Sequence, residues 1–182
     1  MCKKGLIIPA YKDNGKPRSD PRNYRPIKLL PIIFKLFEKV LHDTITKWIK
    51  ETNVKFPNRQ QNAYQKNTGA ITASFNLQES IHHNIELHNK VYVAMLDTKM
   101  AFDTVWLNAV FYKIAGLGIQ GKIWSLIVDA HSDMYSCVVT NGLTSEFFPV
   151  LQGIRQGGII STWIYNLFIN GLLELIERSG HC

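Results

Sequence analysis

Between Pro31 and Lys50 the apolar residues Ile33, Leu36, Phe37, Val40, Leu41, Ile45, Trp48 and Ile49 recur at steps of three and four. That spacing lines one face of an α-helix, so Pro31–Lys50 is predicted to be amphipathic and helical, with Pro31 tolerated in the first turn. Similar patterns predict helices over Ala70–His88, with a thinner apolar face of Ile71, Leu77, Ile81 and Ile85, and over Leu107–Ala115 and Lys122–Met134, which Gly116 and Gly118 separate. A last helix is expected over Ser161–Arg178, capped by Ser161 and burying Ile164, Leu167, Phe168, Leu172, Leu175 and Ile176. With 182 residues, 46% of them hydrophobic, the chain is long enough to bury one sizeable core or two small ones and lacks the signature of disorder.

Short apolar runs supply the strands. Leu6–Ala10 and Val91–Leu96 read as strands, the second as a central one, and Tyr135–Thr140 with Glu146–Leu151 reads as a hairpin around an Asn141-Gly142 turn. Gly15–Arg25 is a basic loop rich in Pro and Gly, and Phe56–Thr68 a polar one. Helices packed on a small antiparallel sheet, an α+β arrangement, are the expected fold.

The 21 Lys and Arg against 14 Asp and Glu give a formal charge of +7, which suits an acidic partner such as nucleic acid without requiring one. Cys2, Cys137 and Cys182 lie far apart, so neither a disulfide framework nor a zinc site is expected, and an intracellular, reducing compartment fits, nuclear or cytoplasmic unresolved. His82, His83 and His88 are read as solvated rather than metal-ligating. The first residues, MCKKGLIIPAYK, carry too short an apolar run for a signal peptide. Gly157–Leu173 is uncharged over 17 residues, but Ser161, Asn166 and Asn170 favour a buried helix over a membrane span.

The run VAMLDTKMAFDTV places Asp97 at the end of an apolar segment, with Asp103 six residues later. A carboxylate anchored at a strand end suits a divalent metal, because magnesium takes hard oxygen donors and keeps waters and substrate phosphates as its remaining ligands. Read by itself, Asp97 could equally cap the next turn.

Three further stretches stand around it in order: NYRPIKLL over 23–30 with Phe37-Glu38-Lys39, then Leu96-Asp97 with Ala101-Phe102-Asp103-Thr104-Val105, then Gly153-Ile154-Arg155-Gln156-Gly157 with Ser161 and Tyr165-Asn166. Together they resemble the reverse transcriptase domain of non-long-terminal-repeat retrotransposons, the jockey-like and LINE-like mobile elements, over nearly the whole chain. The resemblance implies the fingers and partial palm of a right-hand polymerase, with fingers-like residues 1–90 and an incomplete palm over 91–182. It also implies RNA-directed DNA polymerisation by two-metal nucleotidyl transfer, with Mg2+ as cofactor and an RNA template, a DNA primer and deoxynucleotide triphosphates as partners.

On this resemblance Asp97 would be the first catalytic carboxylate and metal ligand. Phe102 would lie beneath the deoxyribose, with core packing as its other reading, and Asp103 would hold the local turn. Arg25 and Lys12 would reach the triphosphate, although Arg25 could also be an exposed loop cation. Gln156 and Gly157 would shape the nucleotide pocket, and Gln61, Tyr64 and Arg155 would contact template, Tyr64 having packing as its alternative. Two positions depart from the family pattern: Ser161-Thr162 stands for Ser-Pro, and Ala63 for glycine. The family's next motif, an aromatic residue and a variable one before paired aspartates, is not in the sequence, and the chain has no Asp-Asp pair. A truncated polymerase, inactive by itself and with uncovered sheet edges and apolar helix faces, is the expectation. The alternatives are a noncatalytic remnant gripping nucleic acid through Lys3, Lys4, Lys12, Lys16, Arg18, Arg22 and Arg25, and a membrane-attached helical protein.

Overall fold

A computed structural model describes residues 3–13 and 15–180. Cys2 and Cys182 lie outside the described residues. The elements in chain order are β1 (Lys4–Tyr11), β2 (Tyr24–Leu29), α1 (Ile32–Thr52), α2 (Ala70–Glu86), α3 (Leu107–Gly116), α4 (Gly121–His131), β3 (Met134–Thr140), β4 (Leu143–Thr144), β5 (Phe148–Val150) and α5 (Ser161–Arg178). The α+β class holds, with a sheet that is mixed rather than wholly antiparallel. Its order is β2-β1-β3-β4, with β5 also on β3. β1 runs antiparallel to β2 and parallel to β3, and the hairpin strands β4 and β5 are antiparallel to β3. Residues from both sides of position 90 therefore share one sheet.

β2 occupies part of the expected basic loop. Pro26 argues against a strand because it cannot donate to a ladder, yet β2 lies at the sheet edge, where proline is tolerated, and Pro26 sits opposite Pro9. The hairpin turn follows expectation: Asn141 and Gly142 both take positive φ, 50° and 76°, as a two-residue turn of this kind requires.

The core fills the space between α1, α3, α4 and α5. Val105, Val110, Ile114, Ile127, Ile154, Ile160 and Ile164 are fully buried there, joined by Leu41, Ile45, Met134, Trp163 and Leu167. Helix α1 is rotated from the predicted face. Its buried line is Phe34, Glu38, Leu41 and Ile45, whereas Ile33, Leu36 and Val40 are exposed. Toward its end α5 likewise exposes Leu172 and Leu175, and its buried positions include Ser161, Asn166 and Asn170. Ser161 is not its cap: Ile160 holds that position, and the Ser161 Oγ is buried without a hydrogen bond. No residue of α2 is buried; Ile71, Leu77 and Ile85 face outward. Among the described residues no helix is long and apolar enough to cross a membrane.

The expected central strand Val91–Leu96 does not form. Residues 91–98 are without regular structure, and every residue from 91 to 100 is exposed. Strand propensity can extend a segment, but a strand exists only where a neighbouring backbone accepts its ladder, and none does here.

His131, at the end of α4, is buried and donates from Nδ1 to the Ile127 carbonyl at 2.9 Å. Burial pushes its imidazole down to about 4, against 6.5 for a free histidine. As pH falls below 6.5 the unfolded chain takes up this proton first, so folding stability drops until pH reaches about 4. Urea unfolding at pH 7.5 and pH 5 should show this histidine costing about 2 kcal/mol at the lower pH, a pH-dependent loss that His131→Leu abolishes.

Candidate active site

The turn that carries Asp103, six residues after Asp97, is made by its backbone. Met100 takes φ 55°, and its carbonyl accepts from the amides of Asp103 and Thr104 at 2.9 and 3.1 Å. A distant segment then ties this turn down: the Gly153 amide donates to the Val105 carbonyl at 2.9 Å and the Ile154 amide to the Phe102 carbonyl at 2.8 Å. Gly153 has φ 86°, and a Cβ there would come within 2.7–2.9 Å of the Asp103 backbone. Only glycine allows the two segments this close.

The strapped turn faces the sheet across an open cleft of about 1050 Å³. Asp97, Lys99 and Asp103 line it from the turn side, Gln156 from the segment before α5, and Lys12, Arg18, Arg22 and Arg25 from the sheet and the loop beyond β1. Thus Asp97, Lys12, Arg25 and Gln156, four residues named from sequence, meet in one place. Their state differs. Lys12 Nζ donates to the Arg22 carbonyl at 2.9 Å, Arg18 lies 4.9 Å from the Tyr11 ring centre, and Arg22 pairs with Asp20 at 2.8 Å. The Arg22 guanidinium holds the Asp20 carboxyl below its ordinary range. Gln156 Nε2 donates to Asp103 Oδ2 at 2.9 Å. Arg25, Lys99 and Asp97 are exposed and have no side-chain partner among the described residues.

Other expected contacts are placed elsewhere. Phe102 is not on the cleft wall; its ring stacks on Tyr165 at 5.0 Å and meets Tyr64 edge-on at 6.2 Å. Gly157, with φ 107°, makes its close approach to β2, where a Cβ would stand 2.9 Å from the Lys28 carbonyl. Gln61 Nε2 donates to Asn166 Oδ1 at 3.2 Å, and Asn166 Nδ2 donates to the Ala63 carbonyl at 3.1 Å, so the loop bearing Tyr64 is strapped to α5. Tyr64 itself remains exposed at φ 58°. Arg155, expected at a template strand, is buried instead: its guanidinium lies 4.3 Å from the Phe34 ring centre and its Nε contacts Met134 Sδ at 3.2 Å. Lys3 is also turned from any cleft role by its 2.9 Å pairing with Asp129. His82, His83 and His88 are exposed.

Residues that the sequence did not single out complete the scaffold. Lys28 is buried behind the cleft, where burial pushes its ammonium below the usual lysine range and the Asp103 charge partly restores it. Glu38 is fully buried and accepts from the Ile159 amide at 2.8 Å. The signal for Glu38 was present: it falls on the line Phe34, Leu41, Ile45 at helical spacing. Lys28 becomes visible only once β2 is a strand, because Tyr24, Pro26 and Lys28 then share a face.

A divalent ion needs oxygen donors. Asp97 offers a carboxylate with no competing partner among the described residues, whereas Asp103 already accepts from Gln156. Among the described residues no group of three or more His, Cys, Asp or Glu gathers to cage a metal. One free carboxylate in an open cleft suits an ion that takes its other ligands from water and substrate phosphate.

The family model for reverse transcriptase (RNA-dependent DNA polymerase) matches residues 11–182. The chain belongs to the reverse transcriptase family. Among its relatives is the RNA-directed DNA polymerase from mobile element jockey of Drosophila melanogaster, 25% identical over 181 residues, covering 93% of this chain and 18% of that protein. The probable RNA-directed DNA polymerase from transposon X-element of the same fly is 28% identical over 173 residues, covering 91% and 18%. The Pol polyprotein from type-1 retrotransposable element R2 of Popillia japonica is 30% identical over 93 residues, covering 50% and 15%. The reverse transcriptase chain thus spans less than a fifth of the length of these curated relatives, all proteins of non-long-terminal-repeat elements.

At Gly153 the left-handed φ and the close approach to the Asp103 backbone leave no room for a side chain. Gly153→Ala combines a left-handed φ with a backbone clash and should cost about 2 kcal/mol or more in thermal unfolding. Gly142→Ala, at φ 76° with nothing within 4 Å, should cost about 1 kcal/mol. Equal losses for the two would contradict the strap.

Proposed function

We propose that the cleft binds a deoxynucleotide triphosphate as its magnesium complex, in the RNA-directed DNA polymerisation that the relatives' names describe. The observation that carries this is the placement of Arg25 and Asp97, far apart in sequence, on one cleft, with both charged groups free of partners among the described residues. A guanidinium left unpaired at a sheet edge suits the oxygens of a polyphosphate, and Lys12 and Lys99 add positive charge beside it. Asp97, opposed by these cations, is the donor that would hold the Mg2+. The bound ion would supply charge neutralisation at the phosphates and lower the pKa of a primer hydroxyl. Gln156 is held on Asp103 and so presents a fixed amide edge at the end of the cleft. RNA template and DNA primer are the remaining partners of this reading, with residues 1–90 as its fingers and 91–182 as palm.

A second reading, a phosphate grip without metal chemistry, is favoured by the gathering of Lys12, Arg18, Arg22 and Arg25 along the cleft. Equilibrium binding of fluorescent deoxynucleotide triphosphate and of RNA to the chain separates the two. Arg25→Ala should weaken triphosphate binding about tenfold. Asp97→Asn should remove its magnesium dependence while leaving metal-free, salt-sensitive RNA binding intact. Triphosphate binding that ignores both substitutions would refute the nucleotide reading.

A further inference from the structure

Gln156 sits in a short turn closed by one bond of its own, the Gly158 amide donating to the Arg155 carbonyl at 3.1 Å. Gly157 and Gly158 follow it directly, and Gly157 lies in the left-handed region at φ 107°. Two glycines in succession restrict the chain less than any other pair, so tethers on either side must set where Gln156 sits. On the near side, the Lys28 amide of β2 donates to the Gln156 carbonyl at 3.1 Å. On the far side the tether is a carboxylate: Glu38 Oε2, from α1, accepts from the Ile159 amide at 2.8 Å.

The fit around that carboxylate is close. A Cβ at Gly158 would lie 3.0 and 3.2 Å from the two Glu38 oxygens and 2.5 Å from the Ser161 Oγ. Glu38 is fully buried in a line of α1 otherwise formed by Phe34, Leu41 and Ile45, where an aliphatic side chain would serve packing at no electrostatic cost. Burial pushes its carboxyl above the ordinary range, while the Ile159 amide and then the Arg155 charge act against that. Arg155 in turn lies over Phe34, one helical turn before Glu38. One Glu38 oxygen is thus engaged by the backbone, while Oε1 is buried without a hydrogen bond among the described residues.

We propose that Glu38 is a positioning residue, whose carboxylate clamps the Gly158-Ile159 backbone to α1 and so holds the Gln156 amide in place against Asp103 at the cleft. The effect on nucleotide rests on the reading of the cleft given above; the clamp itself does not.

Amide hydrogen exchange of the full chain tests the clamp directly. Glu38→Met keeps the unbranched reach of the side chain and removes the acceptor. It should speed exchange at residues 157–160 at least tenfold while amides of α3 and α4 keep their protection. Gly158→Ala presses on the carboxylate from the other side and should speed the same amides, and it reads the clamp if Glu38→Met fails to fold. Exchange unchanged at 157–160, or raised equally throughout the chain, would overturn the proposal.

The link to the cleft is read from the affinity for magnesium deoxythymidine triphosphate in a double-mutant cycle. Glu38→Met and Gln156→Ala should each weaken binding several-fold, and together no more than Gln156→Ala alone. Multiplying losses would show that Glu38 does not act through Gln156. If the unaltered chain binds no nucleotide, the reading of the cleft fails, and the exchange result still decides the clamp.

Discussion

Two backbone hydrogen bonds, from Gly153 to Val105 and from Ile154 to Phe102, hold the architecture of the cleft together. They join the turn that carries Asp103 to a segment that carries Gln156, across some fifty positions of sequence. Because the contact is backbone against backbone, it leaves no room for a side chain at 153 and sets the turn without help from a sheet. Val105 and Ile154, the neighbours of these bonds, are fully buried and lock the strap into the core. Asp97 lies in the exposed stretch that leads into this strapped turn, whereas the expected support was a central strand.

Charge is divided by burial in a way that separates binding from scaffolding. Lys28, Glu38, His131 and Arg155 are buried, and each is placed by contacts or charges within the protein. Arg25, Lys99 and Asp97 are exposed on the cleft with no partner among the described residues. Leaving charged groups unpaired in water costs little, and it keeps them available to a ligand of complementary charge. Apolar surface is also left open: Ile33, Leu36 and Val40 on α1, Tyr92, Met95 and Leu96 before the turn, and Leu6, Ile8, Ile27 and Leu29 on the outer face of the sheet.

Helices were the legible part of the sequence. α1, α3, α4 and α5 lie close to their predicted spans because a 3.6-residue period is written locally, and the β3 hairpin was legible through the chemistry of Asn141-Gly142. The failures share a cause. β2 was hidden by Pro26, which is allowed only because that strand is an edge. Val91–Leu96 has strand propensity, but pairing depends on a neighbour that propensity does not report. Which side of α1 turns inward depends on what faces it, and the presence of Glu38 on the buried side reversed the simple rule that the most apolar face is the core. For the site, Asp97, Arg25, Lys12 and Gln156, named from the sequence, line one cleft. The ordered motifs gave no hint that Arg155, Gly157 and Gln61 serve the scaffold, since a buried cation and an exposed one are written alike.

If Asp97 and Arg25 form one site for a metal and a triphosphate, Mn2+ should reveal it through paramagnetic broadening of amide signals, measured with and without deoxynucleotide triphosphate. The broadening is expected to centre on residues 97–103 and to spread to Arg25 and Gln156 when the nucleotide is added. Broadening centred instead on the surface acids Asp129 and Asp133, with residues 97–103 left sharp, would contradict it.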